Sequence, residues 1–402
     1  MTHWFPLDPG HGLNYGISSA LQEAGDVRVI AGSPIDLRTN EVTGPYPWWR
    51  PYRRLVDPFP VQRVPTYPGH TASSWRRLAM YGSFAASASV SGWRSLASAD
   101  LNVVYASPAT AAVPALVASR LHSTPFILIV QDVWPDSVSA SGFLDQGLGR
   151  RLVHSQLNSF IEELYGRAAH VIVISEQMRH LLMERGVPED KLSVVYNWAD
   201  EAIYSEAVDF ERRCPRDPLH VMYAGNLGAA QGLISVLRAM ALLPRDRVRL
   251  TVIGGGTHAS QLKAQAEGLG LANVQFRPAV EPQTLPGRLA KAQLHLVSLV
   301  DDPLFAVTVP SKLQSLLASG APILACAPGA VADLVFASGA GIVSRPGDPE
   351  DLARVLREAT DLDSGWFVRA GQRARDFYLS NMSESAGKRG YRDVAARVLA
   401  AG

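Results

Sequence analysis

Cysteine is nearly absent. Cys214 and Cys326 are the only two in 402 residues and stand far apart, so a four-thiolate metal site is excluded and a reducing compartment is expected. Neither sign of charge is in surplus: 38 basic and 37 acidic side chains leave a formal net charge of +1, and no global field directs the chain to nucleic acid. Lysine is scarce, at five of the 38 basic residues, so a lysine inside a motif stands out. No uninterrupted run of about 18 apolar residues occurs. The longest candidates, such as Pro125 to Val130 and Leu294 to Val300, are short and bounded by polar residues. The first residues hold no basic segment followed by a long apolar run, so no signal peptide is readable and a cytoplasmic protein is expected. Several catalytic patterns are missing too: a Gly-x-Ser-x-Gly elbow, a Walker A loop and His-Glu-x-x-His. Gly10-His-Gly-Leu-Asn-Tyr-Gly16 has its third glycine one residue too late for a dinucleotide fingerprint and precedes the first evident Val/Ile strand.

What is present is apolar enough to fold and too long for one ordinary core. At 47% hydrophobic and 19% charged, the chain is read as two domains. Short β-branched runs alternate with amphipathic stretches, the pattern of parallel strands joined by crossover helices. Strands are expected at 27–30, 101–105, 126–130, 170–174 and 192–196, with helices at 15–24, 110–121 and 152–168. After Asp209-Phe-Glu-Arg-Arg-Cys-Pro-Arg-Asp-Pro218, a linker by composition, a second series follows. Its strands are expected at 221–224, 249–253, 274–277, 294–299, 323–325 and 341–343, and its helices at 233–243, 258–269, 283–292, 311–319 and 349–360. From about Trp366 the chain reads as helical with a break near 380–383. The expected division is residues 1–205, 206–380 and a helical segment 381–402 returning to the first domain.

Between Pro45 and Met80 the rhythm is lost. Trp48, Trp49, Tyr52, Phe59, Tyr67 and Trp75 interleave with Arg50, Arg53, Arg54, Arg63, Arg76 and Arg77 against the single acid Asp57. Such a mixture admits a peripheral membrane contact through residues 45–80; it equally describes a proline-rich excursion whose aromatics are core. A single-strand nucleic-acid groove interleaves the same residue types, but no recognised module accompanies them, and no nucleic-acid partner is expected.

Ligands of open α/β sheets bind beyond the carboxyl ends of the strands, so the turns there carry the functional candidates. Tyr223-Ala-Gly-Asn-Leu-Gly-Ala-Ala-Gln-Gly-Leu233 leads from a strand into a helix; Gly225 and Gly228 either let backbone approach a diphosphate or form a tight turn. Ile253-Gly-Gly-Gly256 poses the same choice for Gly254. In Val309-Pro-Ser-Lys-Leu-Gln-Ser315, Lys312 stands in the first turn of a helix, where a cation opposes the helix dipole unless an anion shares that end. Asp132, in Gln131-Asp-Val-Trp-Pro-Asp136, is either a catalytic carboxylate or an acidic turn. Gly10, His11 and Gly12, ahead of the first helix, bring backbone close to a substrate or phosphate.

Taken in order, Pro-Leu-Asp-Pro-Gly near the start, Ala-Ser-Pro at 106–108, Gln-Asp-Val-Trp-Pro-Asp at 131–136, Ala-His-Val-Ile-Val-Ile-Ser at 169–175, Val-Val-Tyr-Asn-Trp at 194–198, Tyr-Ala-Gly-Asn-Leu-Gly at 223–228 and Val-Pro-Ser-Lys-Leu at 309–313 resemble the GT-B glycosyltransferases of family 4, in the bacterial surface-polysaccharide branch with fucosamine and colanic-acid transferases. The resemblance implies an α/β fold of two facing Rossmann-like doubly wound domains with a C-terminal helix packing across both. It also implies a cleft between an acceptor-side N-terminal half and a nucleotide-sugar C-terminal half, and transfer with retention at the anomeric carbon. No cofactor or bound metal is needed on this pattern. Gly225, Asn226, Gln231, Gly254, Ser311 and Lys312 would hold the donor phosphates, Arg277 and Ala279 would lie by the base, and Ser315 would approach the ribose. Asp132 and Gly10, His11 and Gly12 would face the reacting sugar and acceptor. The partners implied are a nucleotide sugar, expected to be a UDP-sugar, and a lipid-linked or cell-surface glycan precursor on the inner face of the cell membrane.

The chain departs from the family pattern at five positions. Asn226 and Gln231 stand where many members have Arg and Lys, Val307 and Ser315 where many have a glutamate pair, and Gln131 where a histidine is frequent. A nucleotide-sugar 2-epimerase, a non-catalytic partner subunit and a transferase acting on a soluble natural-product aglycone are the alternative readings.

Overall fold

The computed structural model describes residues 1–10, 12–35, 41–43, 48–69, 73–136, 148–204, 206–210 and 217–401. These form two compact units, Met1–Tyr196 with Gly387–Gly402, and Asn197–Ala386.

In the first unit, β1 (Val29–Gly32), β2 (Tyr52–Val56), β3 (Phe59–Val64), β4 (Asn102–Tyr105), β5 (Phe126–Ile129), β6 (His170–Val173) and β7 (Leu192–Val194) make two sheets of order β1-β3-β2 and β4-β5-β6-β7. The first residues stitch them together: the Thr2 amide donates to Ile30 O at 3.0 Å, and the Tyr105 amide donates to Met1 O at 2.9 Å. Two residues thus act as a minimal strand ahead of the turn containing Gly10 and Gly12. β5 and β6 are buried along their whole length, as parallel strands covered on both faces must be.

Within the stretch 45–80, Tyr52–Val56 and Phe59–Val64 are strands of the first of these sheets. β2 and β3 form an antiparallel hairpin, β3 pairs parallel with β1, and an 18-residue helix, Ser74–Ser91, follows. Prolines and arginines disguise in the sequence a strand pair whose alternate residues Phe59, Val61 and Arg63 point inward. Arg63 is 1% exposed. Its guanidinium donates to Gly32 O at 3.2 Å, Phe5 O at 2.9 Å and Pro6 O at 2.7 Å, and burial pulls its pKa down to about 10. Arg63→Met should leave those carbonyls without their donor and cost about 1–3 kcal/mol, read as a lower urea midpoint at unchanged m-value.

In the second unit, β8 (Leu219–Ala224), β9 (Val248–Ile253), β10 (Val274–Arg277), β11 (Leu294–Ser298), β12 (Ile323–Cys326) and β13 (Gly341–Val343) form one parallel sheet of order β10-β9-β8-β11-β12-β13. This is the doubly wound Rossmann order, and it reverses between β8 and β11, the switch point where such sheets bind ligands. Helices expected at 233–243, 258–269, 311–319 and 349–360 are found at Leu233–Ala241, Ala259–Gly268, Ser311–Ser319 and Pro349–Ala359. The helix Ala330–Ser338, with no strong period in its apolar pattern, was not anticipated.

The second unit begins at Asn197 rather than at 206. Residues 197–208 are held to it by Arg375, which donates to Tyr204 O at 2.9 Å, by the Tyr378 hydroxyl, which accepts from the Ala199 amide at 3.2 Å, and by the Val208 amide, which donates to Ser319 O at 2.9 Å. Residues 211–216 of the expected linker lie outside the described residues. The last helix, Glu384–Ala401, leaves the second unit after Ala386 and belongs to the first from Gly387 on, where the space for a side chain on Gly390 is taken by Val195.

Candidate active site

The loops after β8 and β9 are built as one piece. The Gly225 amide donates to Ile253 O at 3.0 Å, the Leu227 amide to Gly255 O at 2.8 Å and the His258 amide to Leu227 O at 2.9 Å. Such contact requires glycine. Gly254 has φ 151°, and a Cβ there would lie 1.9 Å from Gly225 O; on Gly256, φ 156°, it would lie 2.6 Å from Leu227 O. Gly254 therefore shapes the loop through close backbone packing. Gln231 is engaged likewise: its Oε1 accepts from the Gly228 amide at 3.0 Å and its carbonyl accepts from the Ser298 hydroxyl at 2.6 Å, which ties the β8 loop to the end of β11 across the switch point.

Lys312 enters this loop from the first turn of Ser311–Ser319, a helix that no side chain caps. Its ammonium donates to the Tyr223 hydroxyl at 2.6 Å, 3.9 Å from the ring centroid, and the hydroxyl in turn donates to Asn226 O at 2.6 Å. The same ammonium would lie 3.2 Å from a Cβ on Gly225. Lys312 is half-buried and pairs with no carboxylate among the described residues; burial pulls its pKa from 10.5 to about 7. Burial pushes the Tyr223 phenol up, so it stays protonated and passes the lysine's polarity to the loop. Gly225 and Asn226 are exposed beside it. A cation desolvated without a partner, next to exposed backbone and an uncapped helix N-terminus, is an arrangement suited to an anion.

Behind Lys312 a cavity of about 200 Å³ is lined by Tyr204, Ala224, Leu289, Ser311 and Ser315 among others. The Tyr204 hydroxyl is hydrogen-bonded to Ser315, and burial raises its pKa. Arg277 and Ala279 are exposed at the end of β10; the Arg277 carbonyl accepts from the Gly254 amide at 3.1 Å, which links that strand end to the glycine loops, while its side chain donates to Gln275 at 3.3 Å. Tyr223, Tyr204 and Ser298 are site residues that the sequence did not reveal. Each reads as an ordinary strand or connector residue until its partner is known.

In the first unit Asp132 is exposed just past β5 and accepts from the Ser107 hydroxyl, past β4, at 2.8 Å. Burial, with the Asp132 charge adding to it, raises the pKa of Tyr105. The rest of the motif is anchored: Val133 and Trp134 are buried, and Asp136 pairs with Arg185 at 2.9 Å. Gly10 and Gly12 have φ of 86° and 85°, a conformation that favours glycine, and Gly12 opens the helix Leu13–Gln22. His11 lies outside the described residues.

These two Rossmann-like units define an α/β protein of the GT-B class. Residues 15–198 match the model of a glycosyl transferase 4-like domain, and residues 218–361 that of glycosyl transferases group 1. The chain is 27% identical over 303 residues to a putative colanic acid biosynthesis glycosyl transferase, WcaI, of Escherichia coli strain K12, covering 73% of this chain and 74% of that one. It is 28% identical over 246 residues to a probable glycosyltransferase, WbjE, of Pseudomonas aeruginosa, covering 59% and 60%. Among solved structures, sucrose-phosphate synthase of Thermosynechococcus elongatus aligns with a TM-score of 0.68 at 15% identity over 97% of this chain and 93% of that one. HepE of Anabaena, solved in complex with UDP-glucose, aligns with a TM-score of 0.63 at 16% identity over 95% and 94%. The chain is a family 4-like glycosyltransferase of the GT-B fold.

Proposed function

We propose that this glycosyltransferase is a retaining enzyme that takes a sugar from a nucleotide diphosphate, a UDP-sugar, and delivers it to a lipid-linked or cell-surface polysaccharide precursor. The observation that carries the donor side is the Lys312 ammonium, half-buried without a carboxylate and hydrogen-bonded through Tyr223 to the exposed Gly225–Asn226 turn. A diphosphate there receives the lysine, the turn's backbone and the helix N-terminus, which stabilise the charge that develops on it as it departs. In the transfer the sugar C1–O bond to the diphosphate breaks, its electron pair leaves with the nucleotide, and C1 bonds to the acceptor oxygen on the same face. The acceptor's proton passes to the departing phosphate oxygen. Ser315 with Tyr204 is assigned to the ribose, Arg277 and Ala279 to the base, and Ser311 to the phosphates. In the first unit, Asp132 and the turn of Gly10 and Gly12 are assigned to the acceptor. The relative named for colanic-acid biosynthesis supports the polysaccharide side of this reading, and the neighbour solved with UDP-glucose supports the donor.

The test is product analysis with purified protein, a panel of nucleotide sugars and a lipid-linked saccharide acceptor. UDP at a hundredfold excess over its Kd should stabilise the fold by about 2.7 kcal/mol, and the linkage formed should keep the donor's anomeric configuration by NMR. An inverted linkage would remove retention; release of a free epimerised sugar without acceptor would favour the epimerase; no stabilisation by any nucleotide would leave a non-catalytic subunit.

A further inference from the structure

After its first turn, the helix Ser74–Ser91 carries no charge on either side. Its inner face buries Met80, Phe84, Ala85 and Ala88. The outer face should then be charged, as on an ordinary surface helix, yet no Asp, Glu, Lys, Arg or His occurs from Leu78 to Ser91. Trp75, Leu78, Gly82, Ala86 and Val90 recur at spacings of three and four and are all exposed, Trp75 at 62% and Val90 at 80%. An exposed helix stripe of small and apolar residues without charge is a surface suited to a contact.

The surroundings identify what covers it. The Gln62 side chain donates to Ser91 O at 2.6 Å, so the sheet face carrying Gln62 adjoins the end of the helix. In the β2–β3 register Arg53 lies opposite Gln62 and Leu55 opposite Pro60, which puts exposed Arg53 and exposed Leu55, at 63%, on that same face. At the middle of the helix the Tyr67 amide donates to the Ser83 hydroxyl at 2.9 Å, and Trp48 packs between Tyr67 and the exposed Trp49. Arg76 lies 5.5 Å from the centroid of the Trp75 ring. Arg50, Arg53 and Arg76 are exposed and form no ion pair among the described residues. The surface therefore combines tryptophans and aliphatics with unpaired guanidinium groups, the chemistry of an interface between acyl chains and anionic headgroups. No helix among the described residues is long and apolar enough to cross a membrane, so the contact is one of lying on the surface.

We infer that the outer stripe of Ser74–Ser91, with Trp49, Arg53 and Leu55, docks the protein on an anionic phospholipid surface. The inference stands on this exposed surface and not on the transferase reading, whose product analysis needs no bilayer. It is tested by vesicle flotation of the whole chain, with phosphatidylcholine vesicles with and without phosphatidylglycerol, at low and high salt. Wild-type protein should float with the anionic vesicles at low salt and be released at high salt. Arg53→Gln with Arg76→Gln should weaken partition about five-fold per arginine, and Trp75→Ser with Leu78→Ser about tenfold or more, while UDP-dependent thermal stabilisation, which reports on an intact second unit, and the circular dichroism spectrum stay unchanged. The arginine pair is fully surface-exposed and keeps the test decisive should the apolar pair fold poorly. Absence of flotation with anionic vesicles, equal flotation of the variants, or a dimer seen by sedimentation that the Trp75/Leu78 pair abolishes would overturn it.

Discussion

Lys312→Ala should lower kcat/KM for the nucleotide-sugar donor by about 10²–10³-fold, the loss typical of removing one preorganised group that meets developing charge. Folding should survive the change, because the ammonium is desolvated and has no carboxylate to leave behind. Steady-state transfer and donor hydrolysis, read beside a thermal melt, separate the two effects; unchanged kinetics would remove Lys312 from the mechanism. Tyr223→Phe tests the relay separately. It keeps the ring beneath the ammonium and deletes the hydroxyl between Lys312 and Asn226, so donor KM should rise more than kcat falls.

The same lysine sets a pH dependence. Burial lowers its pKa to about 7 in the free protein, against the ordinary lysine value of 10.5. The unfolded chain therefore holds a proton between those limits that the folded chain has released, and stability contributed through this group rises with pH across that window. Donor binding runs the other way. A diphosphate favours the charged lysine, so binding near pH 8 takes up a proton, and affinity falls by about tenfold per pH unit above 7 until the pKa of the complex is reached. Calorimetry in buffers of different ionisation enthalpy measures that uptake directly. Uptake near zero at pH 8 would mean that no anion meets Lys312.

Gly254→Ala should damage the donor loops more than any surface change nearby. The Cβ would be 1.9 Å from the Gly225 carbonyl at a φ of 151°. Backbone strain of about 1–3 kcal/mol and overpacking of about 1–3 kcal/mol would be relieved only by separating the loops after β8 and β9. The expected result is a lower urea midpoint together with weakened UDP binding. Gly255→Ala, where a Cβ meets nothing within 4 Å, serves as the matched control and should bind UDP normally.

The second sheet was readable because its central strands, such as β8 and β11, are buried almost end to end and are therefore mostly apolar, broken only by a histidine in each and a terminal serine in β11. The hairpin of β2 and β3 was not. Arg53, Arg54 and Arg63 break the apolar alternation, and Arg63 counts as a core residue only because three carbonyls from other segments surround it. The opening strand escaped notice for a related reason: Met1 and Thr2 pair through backbone groups, which carry no side-chain signature.

At the candidate site, glycine spacing and a lone lysine in a helix's first turn were visible along the chain, since φ preference and charge are properties of single residues. Their division of labour was not. Gly254 and Gln231 read as ligand contacts, and the folded loops commit them largely to each other through Gly225 O and the Gly228 amide. By itself, the order of amino acids determined two parallel α/β sheets, the turns at their carboxyl ends and Lys312 among those turns, because periodicity and backbone preference are local. Only the tertiary structure decided that Tyr223 carries the lysine to Asn226, that Tyr204 meets Ser315, and that one helix is left apolar on its outer face. Those outcomes depend on which distant segments are brought within a few ångströms, and hydrogen bonding and desolvation act only at that range.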